Sequence, residues 1–327
     1  MDAINPVVPD HVPISAVIPT YNRENTISRA VRSVLAQERP AREVIVVDDG
    51  STDNTQNIIE PYCGRIRYVH QKNMGVSAAR NRGVTEAKYD WVAFLDSDDY
   101  WQPHHLKRIA DAIKATKGRA ALYFSDVTYS SGDHTGSLWD RCGFRVSGKF
   151  LLADDASEWA FMTTQPIMIQ SSVIRRDVYL NLGGLPPDMV TVEDTLLFYK
   201  LCLTGPACAV SNCGAVITSD AHVGSRLTKK YHTDTTHHWR NVILMHEQLR
   251  PYLNRLSDEN RRILAERHIA SYLALGKVLL KQHKIEGLFS SLMPAFLMNP
   301  ALFGKIAFDM MRIYLTNRLD LLGRWIR

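Results

Sequence analysis

Between residues 14 and 130 the chain alternates short apolar runs with stretches whose apolar residues recur at helical spacing. Residues 14–18 read as a strand, and Ile27, Ala30, Val31, Val34 and Leu35 then repeat at helical steps. Residues 43–47, 66–69, 91–95 and 120–129 are further apolar runs; residues 75–83 separate two of them, and Pro103 opens a helical pattern over 106–116. This alternation predicts an α/β fold, a Rossmann-like, mostly parallel sheet with helices on both faces. In such sheets ligands bind beyond the C-terminal ends of the strands. Those ends carry polar residues here: Tyr21-Asn22, Asp48-Asp49 and Asp96-Ser97-Asp98-Asp99.

The pattern then changes. Residues 150–226 are mixed, with a turn at Gly183-Gly184-Leu185-Pro186-Pro187 and a helical stretch that begins at Glu193-Asp194 and stops at Gly205-Pro206. From about residue 228 strand signals vanish, and residues 236–282 read as helical, with Leu244, Leu249, Leu264 and Leu273 on the apolar side. The expected organisation is a catalytic domain over 1–226, with a nucleotide-binding half at 14–130 and an acceptor half at 131–226, then a helical region over 227–327.

Residues 287–304 carry no charge, which touches the lower limit for a membrane span, but Pro294, Asn299 and Pro300 argue against a straight one. Beyond it Phe308, Met311, Leu315, Leu319, Leu322 and Ile326 recur at amphipathic spacing beside Lys305, Arg312, Arg318, Arg324 and Arg327. Two readings stand: residues 287–327 lie in a membrane interface as a peripheral contact, or they pack on the catalytic domain or on a second copy, making a homo-oligomer.

The net charge of +5 favours anionic partners such as phosphates or acidic membranes and does not argue for nucleic acid. The five cysteines are scattered without a Cys-x-x-Cys pair and read as reduced, mostly buried thiols. The first residues lack a basic segment followed by an apolar run. The expected location is the cytoplasm, at the inner face of the cell membrane if the tail binds lipid.

The acidic cluster at 96–99 carries the most chemistry. Three carboxylates within four residues repel one another in a dry site, and a divalent cation removes that cost. Mg²⁺ and Mn²⁺ favour one or two carboxylates plus phosphate oxygens, so a metal–diphosphate site is one reading. An acidic turn capping the next helix is the other, and for an isolated Asp-x-Asp it is the better one.

The cluster is not isolated. Ile14-Ser15-Ala16-Val17-Ile18-Pro19-Thr20-Tyr21-Asn22-Arg23, then Val44-Ile45-Val46-Val47-Asp48-Asp49-Gly50-Ser51-Thr52-Asp53, then Asn73-Met74-Gly75-Val76-Ser77-Ala78-Ala79-Arg80-Asn81-Arg82-Gly83 precede it in order. Together the four motifs resemble the family-2 glycosyltransferases of the GT-A fold, strongly over 14–105 and more loosely to 226. The resemblance implies an inverting enzyme that takes a nucleotide-sugar, with a UDP-sugar as the leading donor. It implies that Pro19 and Tyr21 line the base, that Asp49 accepts a hydrogen bond from its edge and that Arg80 approaches the base or diphosphate. Asp96 would bind the ribose and Asp98 would hold Mn²⁺ or Mg²⁺, while Asp48 supports its turn and Asp99 caps the segment 101–116. The general base would be Asp194, in the Glu-Asp pair downstream of the Gly-Gly turn, and His222, followed by Arg226, would face the metal. His104-His105 and His237-His238 lack metal spacing and read as surface residues.

Three other readings are weaker. A sugar-nucleotide pyrophosphorylase would carry a Gly-rich loop where Pro19-Thr20-Tyr21-Asn22 stands, and a dinucleotide oxidoreductase would carry Gly-x-Gly-x-x-Gly. A catalytically silent GT-A-fold binding protein would have no need of Asp49, Asp96, Asp98 and Asp194 together. The sugar and the acceptor, whether a surface polysaccharide, a lipid-linked glycan or a protein, are marked by no motif.

Overall fold

The computed structural model describes residues 11–130, 136–218 and 236–308. The chain divides into two units, 1–224 and 225–327.

Unit one is built on nine strands: β1 (Ile14–Thr20), β2 (Glu43–Asp48), β3 (Arg67–His70), β4 (Trp91–Phe94), β5 (Tyr100–Trp101), β6 (Leu122–Tyr129), β7 (Phe150–Ala153), β8 (Ser172–Arg175) and β9 (Ala207–Ile217). They form one sheet in the order β3-β2-β1-β4-β8-β6-β9-β5, with β7 also paired to β9. The first four strands are mutually parallel. Every residue of β1 and β4 is buried, which is why both read as unbroken apolar runs rather than as alternation. The strand order turns back between β1 and β4, so the crevice beyond their C-terminal ends is the switch point where doubly wound sheets hold ligands.

The other half of the sheet is mixed. Strand β8 inserts antiparallel between β4 and β6, β6 runs parallel to β9, and β9 takes β7 and β5 antiparallel. One sheet therefore runs through both of the halves expected from sequence.

Eight helices belong to this unit among the described residues: α1 (Ile27–Leu35), α2 (Thr55–Ile59), α3 (Val76–Glu86), α4 (His105–Ala115), α5 (Leu138–Cys142), α6 (Ser157–Phe161), α7 (Arg176–Asn181) and α8 (Glu193–Thr204). Helix α3 lies closely on β1, because a Cβ at Gly83 would come within 2.3 Å of Val17 Cγ1. Helix α4 was expected to be capped by Asp99 and is not; its N-cap position is His104 and makes no side-chain cap. His105, expected at the surface, is fully buried, 5.0 Å from the Trp101 ring and 3.4 Å from Ser125 Oγ. Burial lowers its pKa to about 3, with His104 adding to the effect. All five cysteines are free, but only Cys202 and Cys208 are buried; Cys63 is exposed, a departure from the expected buried set.

Unit two is helical: α9 (Thr236–Gln248), a 3-10 turn (Arg250–Arg255), α10 (Asp258–Lys281), α11 (Ile285–Met298) and α12 (Pro300–Phe308). Ser257 caps α10 by accepting from the Asn260 N–H at 3.2 Å. Ile243, Ile269, Tyr272, Leu275, Leu279 and Ala295 form its core. Leu249 and Leu264 are buried as their spacing suggested, whereas Leu244 is exposed. Among the described residues no single helix is long and apolar enough to cross a membrane; α11 and α12 bend by 118° at Asn299, whose side chain caps α12 by accepting from the Leu302 N–H. Met293, Phe296, Leu297, Met298 and Phe308 are exposed along this pair.

Candidate active site

The loops after β1 and β2 are tied to each other. Asn22, in a left-handed conformation, donates its N–H to Ser51 Oγ and accepts from the Thr52 N–H, and the Arg23 N–H donates to Thr55 Oγ1. This leaves Tyr21 exposed just past the C-terminal end of β1, while Pro19, two residues earlier, is buried opposite Val47.

The two acids after β2 do different work. Asp48 is buried and accepts from the Ser51 N–H and the Tyr68 hydroxyl, so it shapes the turn. Asp49 is 2% exposed, and its two oxygens accept from Gln71 Nε2 and from the Met74 and Gly75 N–H groups at 2.7–2.9 Å. The carboxylate therefore fastens the loop that opens α3.

Residues 96–99 form a turn closed by the Asp99 N–H donating to the Asp96 carbonyl. Asp96 Oδ1 accepts from Arg80 Nη2 at 2.7 Å, and its Oδ2 accepts from Gln170 Nε2 at 2.7 Å. Two of its four lone-pair positions stay available to a sugar hydroxyl. Asp98 is held by its backbone: its carbonyl accepts from Arg29 Nη2 at 2.6 Å and from Thr218 Oγ1 at 2.5 Å. Its carboxylate lies 3.7 Å from Arg23 Nη2 and is 14% exposed. Asp99 is buried and accepts from the Thr218 N–H, so it joins this turn to the end of β9 instead of capping a helix.

Across the site, α8 begins with Glu193 and Asp194. Asp194 is half-buried; Oδ1 accepts from the Thr195 N–H at 2.7 Å, and Oδ2 takes no hydrogen bond from a described residue. Val192, just before the helix, has φ 60°, a left-handed conformation that strains a β-branched residue. Glu193 is buried, and its Oε1 accepts from Arg80 Nη1 at 3.2 Å. Burial first, then the neighbouring Asp194, raises the Glu193 pKa above the usual carboxylate range, with Arg80 pulling the other way. For Arg80 burial opposes the charge, but Asp96, Glu193 and Asp194 outweigh it and hold the guanidinium protonated.

Arg80 thus joins the loop after β4 to the start of α8. Its neighbour Asn81 holds the Gly-Gly turn: Nδ2 donates to the Leu185 carbonyl, and Oδ1 accepts from the Tyr179 hydroxyl and the Leu185 N–H. A Cβ at Gly184 would sit 2.6 Å from that Oδ1, and its φ of +64° also favours glycine.

With this geometry in view, residues 15–176 match glycosyl transferase family 2. The chain belongs to that family. ExoO of Rhizobium meliloti, a succinoglycan biosynthesis protein, is 33% identical over 56% of this chain and 49% of its own length. TuaG of Bacillus subtilis, named for teichuronic acid biosynthesis, is 41% identical over 48% of this chain and 61% of its own. The chain thus spans about half to three fifths of these curated relatives. The crystal structure of S. aureus TarS 1–349 in complex with UDP-GlcNAc superposes with a TM-score of 0.61 at 18% identity, over 86% of this chain and 90% of that one. This likeness shows a shared GT-A-type fold.

Of the residues expected from sequence, Arg80 and Asp96 meet directly, and Asp194 follows Glu193, the second partner of Arg80; Tyr21, Asp49 and Asp98 lie at the C-terminal ends of β1, β2 and β4. His222 and Arg226 lie outside the described residues. Among the described residues no group of three His, Cys, Asp or Glu side chains is poised for a metal. Mg²⁺ and Mn²⁺ need only one or two carboxylates when a diphosphate supplies the other oxygens, so the Asp96 and Asp98 carboxylates, 23% and 14% exposed, are a donor set that fits such an ion. Sequence reading missed Arg29, Gln170, Thr218 and the pairing of Glu193. Arg29 had a signal, since it is a cation on α1 only six residues beyond Arg23; Gln170 and Thr218 sit in stretches without a motif, and the motif that holds Glu193 does not reveal its partner.

Proposed function

We propose that this chain is an inverting glycosyltransferase that moves a sugar from a nucleoside diphosphate sugar, a UDP-sugar first among them, to an acceptor hydroxyl of a growing glycan. The observation that carries this reading is the joining of Asp96 and Glu193-Asp194 through the single guanidinium of Arg80, which sets a donor-binding turn opposite a carboxylate base. Tyr21 stacks on the base, a sequence-tolerant contact for an exposed aromatic. Asp49 holds the loop against which the base edge rests, and Asp96 accepts from the ribose. Asp98, with His222 as a further candidate, would hold Mn²⁺ or Mg²⁺, whose charge would stabilise the diphosphate leaving group. Asp194 accepts the acceptor's proton through Oδ2 as the hydroxyl attacks the anomeric carbon from the far face. A direct displacement of this kind inverts the anomeric configuration and needs no covalent intermediate.

TarS holding UDP-GlcNAc supports the choice of a uridine donor, and the polysaccharide-linked names of ExoO and TuaG support a glycan or lipid-linked acceptor. We place the enzyme in the cytoplasm at the inner face of the membrane, with residues 287–327 as its peripheral contact; the exposed apolar residues of α11 and α12 support this. A homo-oligomer formed through the same segment is the other outcome of a vesicle co-sedimentation test. The function itself is tested by incubating the chain with a panel of UDP-sugars and Mn²⁺ and measuring UDP release. Release that depends on Mn²⁺ and is abolished by Asp98→Asn is expected; no release from any donor, together with no UDP binding, would sink the reading.

A further inference from the structure

Arg80 sits where a nucleotide-binding arginine is expected, yet its surroundings describe another task. The residue is 4% exposed, and both terminal nitrogens are committed to protein carboxylates, Nη2 to Asp96 at 2.7 Å and Nη1 to Glu193 at 3.2 Å. A planar fork has the rigidity to fix the distance between two carboxylates, which a flexible ammonium lacks. The partners lie 16 and 113 residues away in sequence, so this one side chain spans from the turn after β4 to the first residue of α8.

Helix α3, which carries it, is itself fixed. Gly83 lets it close on Val17 of β1, and Asn81 binds the Gly184-Leu185 turn that leads toward α8. At the far end the chain enters α8 through Val192 at φ 60°. Such a conformation costs about 1–3 kcal/mol and persists only where the surroundings over-determine it. Glu193 is the next residue, and its contact with Arg80 at 3.2 Å is one constraint on the helix start.

We propose that Arg80 is a positioning residue, not a nucleotide ligand: with Glu193 it sets the separation between the donor-binding turn at Asp96 and the base at Asp194. The proposal rests on the donor site described above. Asp194 takes its place from Glu193, its neighbour in the first turn of α8. Asp96 takes its place from Arg80 on one oxygen and Gln170 on the other. Loss of the link therefore misplaces the base against the donor, while Gln170 still holds Asp96 and the nucleotide pocket at Tyr21 and Asp49 stays intact.

The test uses the full chain, Mn²⁺ with UDP as the binding probe, and the UDP-sugar with the highest wild-type turnover. Arg80→Lys keeps the charge but cannot reach both carboxylates, and kcat is expected to fall about 100-fold, the scale of a misplacement near 1 Å. Glu193→Gln keeps the shape but replaces the charge-assisted bond from Arg80 with a weaker neutral one, so the link loosens and kcat is expected to fall about tenfold. In both variants the Kd for UDP stays within about threefold of wild type, so the loss is in turnover and not in binding. The double variant should be no slower than Arg80→Lys alone, because both changes break one link. Additive losses, or a loss of UDP affinity that matches the loss of turnover in Arg80→Lys, would overturn the proposal. Should Arg80→Lys fail to fold, Glu193→Gln decides alone, with wild-type kcat overturning the proposal. A wild-type chain that neither binds UDP nor turns over any UDP-sugar overturns the donor site itself, a distinct result.

Discussion

Two groups of buried polar side chains, one in each unit, meet the cost of burial in opposite ways. In unit one Arg80 stays charged because Asp96 and Glu193 surround it. In unit two His246 and His268 lie with rings 5.2 Å apart, and the Tyr272 ring stacks on His268. Among the described residues His246 Nδ1 and His268 Nε2 have no hydrogen-bond partner. Burial lowers the pKa of His246 to about 3, with His268 and Arg267 adding to it, and that of His268 to about 4 against an opposing pull from Glu247. Both are therefore neutral at ordinary pH and act as core residues. Buried charge is kept where geometry has a use for it, and buried titratable groups elsewhere are neutralised.

The contrast can be broken at its chemical end first. Asp194→Asn should lower kcat by about 10³-fold while UDP binding survives, since only the proton acceptor is lost. Initial rates beside calorimetric UDP binding check it; near wild-type turnover would remove Asp194 from the mechanism. Next, Arg80→Met leaves the buried Glu193 and the partly buried Asp96 without their cation and should destabilise the chain by about 3 kcal/mol, read from urea midpoints. An unchanged midpoint would mean that the paired charges are not held as described.

The histidines answer to pH. Their folded pKa values lie below the ordinary 6.5, so the stability they contribute is present above 6.5 and lost as pH falls toward about 4 and about 3. Unfolding free energy should fall by on the order of 1–3 kcal/mol between pH 6.5 and 4, and His246→Leu with His268→Leu should flatten that slope. His105 has the same sign and leaves a residual slope. NMR titration should show the His246 and His268 rings unprotonated at pH 5.5; protonation near 6.5 would refute the burial argument. The smallest effect on stability belongs to Tyr21→Ala, within about 0.5 kcal/mol for an exposed ring. The same change should raise the donor KM about tenfold if the ring stacks on the base.

The parallel half of the fold was legible because β1, β2 and β4 are buried on both faces and their periodicity says so. The antiparallel insertion of β8 was not, because residues 172–175 give too short a run to reveal a partner 80 residues upstream in β4. His105 and His246 look polar in sequence, and only the packing of the folded chain removes them from water.

By itself the sequence determined the alternation of strand and helix, the acidic turns at the strand ends and the Glu-Asp pair that opens α8. These are local facts, since period, cap and turn are set within a few residues. The tertiary structure alone decided which acids are spoken for. Asp48 and Asp99 serve turns and strand ends, Asp49 anchors a loop, and Asp96 is shared with Arg80 and Gln170. The physical reason is that a carboxylate's role follows from the donors that reach it, and here those donors come from as far as 119 residues away.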